Sequence, residues 1–261
     1  MTGAAGAGAT TDGADDPYVA PSGPRVQARR AVRRAHELLG DAPAFLPLQR
    51  LLTPESARDR AVTERTDLVI EGFPRSGNTF AAKAFALSQS RPVVVASHAH
   101  LPAQVKLAVR KGVPTMVLVR DPADAAISMA IADAHHRVEH LVAYWTHYHR
   151  QVRPLRDDVL LVTFEEVTAD FGTVTDRLNE RFGTSFDRFE HTPDAVERVF
   201  AAIDEKQRVV HGEARYREAV ARPDASRARA KAALRARLDA PGERDRVAAA
   251  RALHDELVGG R

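Results

Sequence analysis

Apolar and polar positions along the chain follow two rhythms. Short unbroken apolar runs alternate with stretches in which apolar residues recur every three or four positions. The first pattern marks a buried strand and the second marks one face of a helix. Asp67 to Glu71 is a short apolar run closed by Gly72. From Asn78 onward, Phe80, Ala81, Ala84, Phe85 and Leu87 follow helical spacing. Pro92 to Ala96, with Val-Val-Val at its centre, predicts a second strand. A helix from about Pro102 to Arg110 follows, and Gly112 and Pro114 break it. Thr115 to Val119 predicts a third strand. Asp121-Pro122 then reads as an N-cap with proline at the first helical position, opening a helix to about Ala134. A longer helix covers about Val138 to Leu155, with Val138, Leu141, Val142, Trp145, Tyr148 and Val152 on one face. Val159 to Phe164 predicts a fourth strand. From Ala169 on the spacing is helical, interrupted by Gly183, Pro193, Pro223 and Pro241. Strands that are pure apolar runs, separated by helices, predict an α/β fold. It is a single three-layer domain, with a central parallel sheet of about four to five strands flanked by helices.

The N-terminal part breaks this regularity. Met1 to about Pro24 has almost no large apolar residue and predicts a disordered tail over residues 1–24. Arg25 to Leu39 reads as a basic helix carrying Arg29, Arg30, Arg33 and Arg34. A solvated face explains it more simply than a membrane or nucleic-acid arm. Gly40 to Pro54 contains three prolines and reads as a loop wrapping the domain. The expected organisation is a tail to residue 24, a helix and proline-rich wrap over 25–60, and one α/β domain over 61–261.

Composition narrows the function classes. The chain has no cysteine, which excludes disulfides and thiolate metal sites and suits a reducing compartment, so a cytoplasmic location is expected. No run approaches a membrane span, and no basic segment followed by an apolar leader is seen. The net charge of +3, mostly arginine on the positive side, fits binding of anionic groups without calling for nucleic acid.

In a parallel sheet, ligands bind beyond the C-terminal strand ends. Strand one ends in Gly72-Phe73-Pro74-Arg75-Ser76-Gly77-Asn78-Thr79-Phe80. Strand, glycine loop and helix hold a phosphate: backbone N–H groups point at one anion and the helix dipole adds positive potential. Arg75 and Thr79 add side-chain donors. Gly72-x-x-x-x-Gly77 followed by Thr79 is almost a Walker A loop, but Asn78 holds the lysine position and the cation sits inside the loop as Arg75. Strand two ends in Ser97-His98-Ala99-His100-Leu101-Pro102. Strand three ends in Arg120-Asp121-Pro122, with Ser128 two turns into the next helix. A rival reading makes Met116 to Asp121 a Walker B strand with Asp121 on magnesium; Arg120 beside the metal and Asp121 as a helix cap speak against it.

Pro74-Arg75-Ser76-Gly77-Asn78-Thr79-Phe80 resembles the 5′-phosphosulfate loop of sulfotransferases that use 3′-phosphoadenosine 5′-phosphosulfate (PAPS). The stretch from Val117 to Ser128, with Arg120 at the strand end and Ser128 eight residues on, resembles that family's 3′-phosphate motif. His100-Leu101-Pro102 resembles its His-Leu-Pro segment, and Leu161 to Glu166 its strand ending in an aromatic-acid-acid segment. The resemblance covers about residues 66 to 185. It implies a P-loop nucleoside triphosphate hydrolase-like fold and metal-independent, in-line transfer of a sulfuryl group from PAPS to a hydroxyl or amine of a small molecule or glycan. It implies His100 as the catalytic base, Arg75 as stabiliser of developing charge, and His98, where many members carry lysine, as a second catalytic candidate. PAPS would be held by Arg75, Ser76, Gly77, Asn78, Thr79, Phe80, Arg120, Ser128 and Phe164, the two phenylalanines beside adenine. The family's glycine- and lysine-containing lid is not recognisable; Arg222-Pro223-Asp224-Ala225-Ser226-Arg227 occupies that region as a basic substitute. Two alternatives remain: a P-loop kinase or nucleotide hydrolase, which would need Mg²⁺ and a triphosphate, and a non-catalytic nucleotide- or partner-binding domain. Retention of Arg75, His100, Arg120 and Ser128 together speaks against lost activity.

One motif points elsewhere. His136-Arg137-Val138-Glu139-His140 matches the His-x-x-Glu-His signature of inverted zinc proteases. With eleven histidines in the chain a five-residue match is weak, and no metal is expected. A helix starting by Ala134 would place His136, His140 and His147 on one stripe, opposite Trp145 and Leu141. That stripe reads as a solvated polar face, or as a face toward the acceptor.

Overall fold

The computed structural model describes residues 61–259 apart from residue 134 and residues 220–224, together with positions 23, 24, 27, 34, 40 and 42. Except for those positions, the expected tail, basic helix and proline-rich wrap lie outside the described residues, as does the Arg222-Pro223-Asp224 part of the expected lid.

Four strands form one parallel sheet: β1 (Leu68–Gly72), β2 (Val95–Ser97), β3 (Thr115–Val119) and β4 (Leu160–Thr163), in the order β2-β1-β3-β4. Helices α1 (Asn78–Ser88), α2 (Pro102–Arg110) and α3 (Pro122–Ala132) alternate with the first strands. Helix α4 (Val138–Val152) and a short 3₁₀ turn (Arg153–Leu155) lead to β4. After it come α5 (Phe164–Ala169), α6 (Phe171–Phe182), α7 (Pro193–Ala219), α8 (Ala225–Leu238) and α9 (Pro241–Gly259). The α/β class, the central parallel sheet and the helical layers on both faces are as the patterning predicts.

Successive strand residues face opposite layers. Leu68, Ile70, Met116, Leu118, Leu160 and Val162 pack with α1, α6 and α7 residues such as Phe85, Phe171, Leu178 and Val199. Val117, Val119 and Leu161 pack with α3, α4, α8 and α9 through Ile127, Trp145, Tyr148, Leu234 and Leu253. Ion pairs fasten the last two helices: Arg251 to Asp121 at 3.2 Å, Arg237 to Glu139 at 2.9 Å, and Arg235 to Asp124.

The chain leaves β1 for β2 on one side and returns to β3 on the other, so the strand order reverses between β1 and β3. Such a switch point opens the crevice where ligands bind. Gly72 ends β1 there. A Cβ on it would lie 2.5 Å from the Leu118 carbonyl oxygen, so only glycine allows the two strands this approach.

One strand boundary differs from the reading by pattern, and the conditional histidine stripe does not form. β2 starts at Val95 rather than Pro92 because the Asp67 carboxylate takes the Val94 N–H at 2.8 Å, and strand pairing begins only after it. Helix α4 starts at Val138, as the periodicity predicts, so His136 lies before it and the stripe of His136, His140 and His147, which needed a helix from about Ala134, does not form as one helical face. Asp133, the C-cap of α3, breaks the helix instead. Its carboxylate accepts from His135 at 2.7 Å and lies 3.2 Å from His136, which together hold it well below the usual carboxylate range.

Candidate active site

Beyond Gly72 the chain turns through Phe73 to Gly77 and enters α1. Gly77 is the N-cap, with φ of 96°, a left-handed conformation that glycine adopts without strain. The loop is tied to itself. The Ser76 N–H donates to the Phe73 carbonyl at 3.2 Å, and Asn78 Nδ2 donates to the same oxygen at 3.1 Å. Asn78, in the place of a Walker lysine, therefore shapes the loop rather than reaching across it. Ser76 is fully buried, and its hydroxyl has no hydrogen-bond partner among the described residues.

Three residues from distant segments meet at this loop. Arg75 Nε donates to Ser128 Oγ at 3.2 Å. Arg120 Nη1 donates to the Arg75 carbonyl at 2.9 Å, and its guanidinium lies over the Phe164 ring, 4.0 Å from the centroid. Burial lowers the pKa of Arg75, and the charges of Arg120 and Arg227 lower it further. Burial also lowers that of Arg120, opposed by Asp124, Glu165 and Asp121. Arg227, at the start of α8, thus adds to the potential at Arg75. Arg120 Nε is buried without a hydrogen-bond partner among the described residues. Two desolvated, mutually repelling guanidiniums with unused donors are stabilised by a multiply charged anion between them. Asp121 is not poised for a metal: Oδ1 accepts from the Asp124 N–H at 2.9 Å and Oδ2 from Arg251.

The β2–α2 loop supplies the histidines. Arg75, His98 and His100, with φ of 70°, 66° and 54°, are the only non-glycine residues of positive φ among the described residues. Such conformations cost on the order of 1–3 kcal/mol each and persist only where the surroundings impose them. Here the surroundings include Glu71. Its carboxylate, fully buried in β1, accepts from the Ala99 N–H at 2.8 Å, the His100 N–H at 3.0 Å and Gln104 Nε2 at 2.8 Å. Burial pushes the Glu71 carboxyl up to about 7, against the pull of these bonds.

The His100 ring donates from Nδ1 to the Gly72 carbonyl at 2.8 Å. A carbonyl only accepts, so Nδ1 carries the hydrogen and the neutral ring has its lone pair on Nε2. His98 sits between two hydroxyls, with Ser97 Oγ 2.6 Å from Nδ1 and Thr79 Oγ1 3.1 Å from Nε2. The two rings are 5.8 Å apart.

The structure thus brings Arg75, Ser76, Gly77, Asn78, Thr79, His98, His100, Arg120, Ser128 and Phe164 to one edge of the sheet. Phe80 faces the other way. It is buried in an aromatic cluster, 6.5 Å from Phe171 and 5.7 Å from Phe200. Glu139 is bound by Arg237, and no metal-holding group of three or more His, Cys, Asp or Glu occurs among the described residues. A surface cavity of about 270 Å³ between α4 and α9 includes His147, Arg150 and Arg246 in its lining and shares no residue with this cluster. Pattern reading missed Glu71, Gln104 and Tyr144, and took Trp145 only as core. An acidic residue inside an apolar strand was the available signal for Glu71, because buried carboxylates are rare without partners.

No family model matches the chain, and no curated protein matches it. Among matching solved structures is the crystal structure of mouse sulfotransferase SULT7A1 complexed with PAP, 14% identical, covering 58% of this chain and 70% of that one with a TM-score of 0.39. A likeness of that degree bears on neither activity nor substrate, and the fold described above rests on the strand order and the layers themselves.

Proposed function

We propose that the protein is a PAPS-dependent sulfotransferase acting on a hydroxyl or amine of a small-molecule or glycan acceptor. The observation that carries this reading is the chain of contacts from Ser128 to Arg75 to Arg120 beside a histidine whose neutral ring is lone-paired at Nε2. Sequence motifs that resemble the family's three site segments fall on these same residues.

The residues fit the nucleotide. Arg120 and Ser128 would hold the 3′-phosphate, and Arg75 with the glycine loop and the N-terminus of α1 would hold the phosphosulfate. The buried, unpartnered Ser76 hydroxyl and Arg120 Nε are donors such a group would satisfy. Phe164, beneath the Arg120 guanidinium, would neighbour the adenine. PAPS supplies an activated sulfuryl group on a phosphate leaving group. His100 Nε2 takes the acceptor's proton as the new bond to sulfur forms. Arg75 and loop N–H groups stabilise the negative charge left on the phosphate oxygen. Arginine does not give up its proton, so that assistance is electrostatic.

The test is turnover. Purified protein incubated with PAPS and a panel of phenols, alcohols, amines and oligosaccharides should release 3′,5′-bisphosphoadenosine in an acceptor-dependent way without Mg²⁺. Phosphoryl transfer or hydrolysis of ATP that needs Mg²⁺, with no use of PAPS, would replace this reading by the kinase or hydrolase one.

A further inference from the structure

All three loops of the candidate site rest on consecutive turns of one helix. Tyr144 and Trp145, neighbours on α4, each donate a side-chain hydrogen bond to a main-chain carbonyl of a site residue. Tyr144 OH donates to the His100 carbonyl at 3.2 Å, and Trp145 Nε1 donates to the Arg120 carbonyl at 3.1 Å. The third loop is held by packing: Phe73 meets the Tyr144 ring edge-on at 5.1 Å and the Tyr148 ring at 6.4 Å. Trp145 is itself wedged, fully buried and stacked on His149 at 3.9 Å.

These bonds are placed where the backbone needs them. His100 has a φ of 54°, with its N–H held by Glu71 from one side. Tyr144 takes its carbonyl from the other, so main-chain donor and acceptor are both fixed and the strained conformation is imposed rather than chosen. Arg120 follows the last residue of β3 and precedes the N-cap Asp121, so sheet and helix both leave its carbonyl to another partner.

We propose that Tyr144 and Trp145 are positioning residues that set the distance between the base and the phosphate clamp. Tyr144 acts through His100 and Trp145 acts through Arg120. The proposal rests on the sulfotransferase reading for its kinetic consequences, though not for its structural ones. Because one helix carries both, it fixes the spacing of the two groups. A displacement of about 1 Å at a reacting group can cost on the order of 10²-fold in rate.

The experiment uses the full chain and Tyr144→Phe, which deletes a hydroxyl and keeps the ring against Phe73. Residue-resolved hydrogen exchange should show the Ala99 and His100 amides opening about tenfold faster, the size expected for one lost hydrogen bond, with the β3 amides of Val117 and Leu118 unchanged. With PAPS and an acceptor, kcat should fall at least about tenfold while nucleotide Kd stays within about twofold. Trp145→Phe should show the converse: weaker binding of 3′,5′-bisphosphoadenosine, by about tenfold, with AMP binding unchanged. Unaltered loop exchange and unaltered kcat in Tyr144→Phe overturn the proposal, whether or not the tryptophan variant folds. Should the wild-type protein transfer no sulfuryl group, the functional reading falls, and the exchange of those two amides still decides whether Tyr144 clamps the loop.

Discussion

The Glu71 carboxylate accepts the main-chain N–H of His100 at 3.0 Å, joining an inner strand of the sheet to a residue 29 positions further on. Ala99 and Gln104 donate to the same carboxylate at 2.8 Å each. A single buried acid therefore organises the loop that presents both histidines.

Its titration gives a stability signature. Burial raises the Glu71 pKa from 4.5 to about 7. The folded protein thus binds this proton more tightly than the unfolded chain does. The contribution is fully present below pH 4.5 and is lost as pH rises through about 7. A shift of that size corresponds to roughly 3 kcal/mol of pH-dependent stability. Denaturant titrations from pH 4.5 to 8 should show this slope in the wild type and not in Glu71→Gln. Parallel pH curves for the two proteins would show that Glu71 is not the titrating group.

The phosphate clamp predicts nucleotide preference. If Arg120 and Ser128 hold a 3′-phosphate, 3′,5′-bisphosphoadenosine should raise Tm well above the effect of AMP or ATP at equal concentration. A ligand at 100 times its Kd stabilises by about 2.7 kcal/mol. Arg120→Lys keeps a charge but loses the fork of donors and the stacking on Phe164, and should remove most of the preference. ATP binding equally well, and more tightly with Mg²⁺, would contradict the clamp.

Much of this arrangement is legible in the chain because strands and their loops announce themselves by pattern. The apolar runs ending at Gly72 and Val119 locate two sides of the crevice, and Arg75, Arg120 and Ser128 stand at its edge in the structure as their positions imply. The strand boundary that slipped did so where a side chain captured a backbone group: Asp67 takes the Val94 N–H and delays β2. Helical periodicity places Trp145 in the core, yet it does not say where an indole N–H points; the bond to Arg120 is a tertiary fact. Phe80 is the reverse case, a residue whose place beside the loop favours a ligand while its ring completes a cluster with Phe171 and Phe189.

The His-x-x-Glu-His stretch makes a negative prediction. Glu139 is 8% exposed and bound by Arg237 through two nitrogens at 2.9 and 3.1 Å, so its work is to fasten α8. Glu139→Ala should destabilise the protein by about 1–3 kcal/mol, since it removes the charge-assisted bonds that tie α8 to α4. EDTA should leave turnover unchanged. Stoichiometric zinc in purified protein, lost in His140→Ala, would show that the histidines bind metal after all.

The last prediction separates the two histidines. Both leave β2 with positive φ and both reach the same edge, so backbone position does not choose between them. Their hydrogen bonds do. Gly72 O fixes the His100 hydrogen on Nδ1, so in the neutral ring Nε2 is the basic nitrogen. His98 has a hydroxyl at each nitrogen, Ser97 at 2.6 Å and Thr79 at 3.1 Å, an arrangement that orients Thr79 at the mouth of the glycine loop. A base contributes about 10²–10⁴-fold to rate, so His100→Asn should lower kcat by that order with little change in nucleotide Kd. Asparagine is the right replacement because it tolerates left-handed backbone better than alanine. His98→Asn should act mainly on KM for PAPS, through the loosened Thr79. In the pH–rate profile the ascending limb should vanish in the His100 variant and survive in the His98 variant. The opposite result, turnover and limb lost with His98 alone, would make His98 the base and give His100 the structural part.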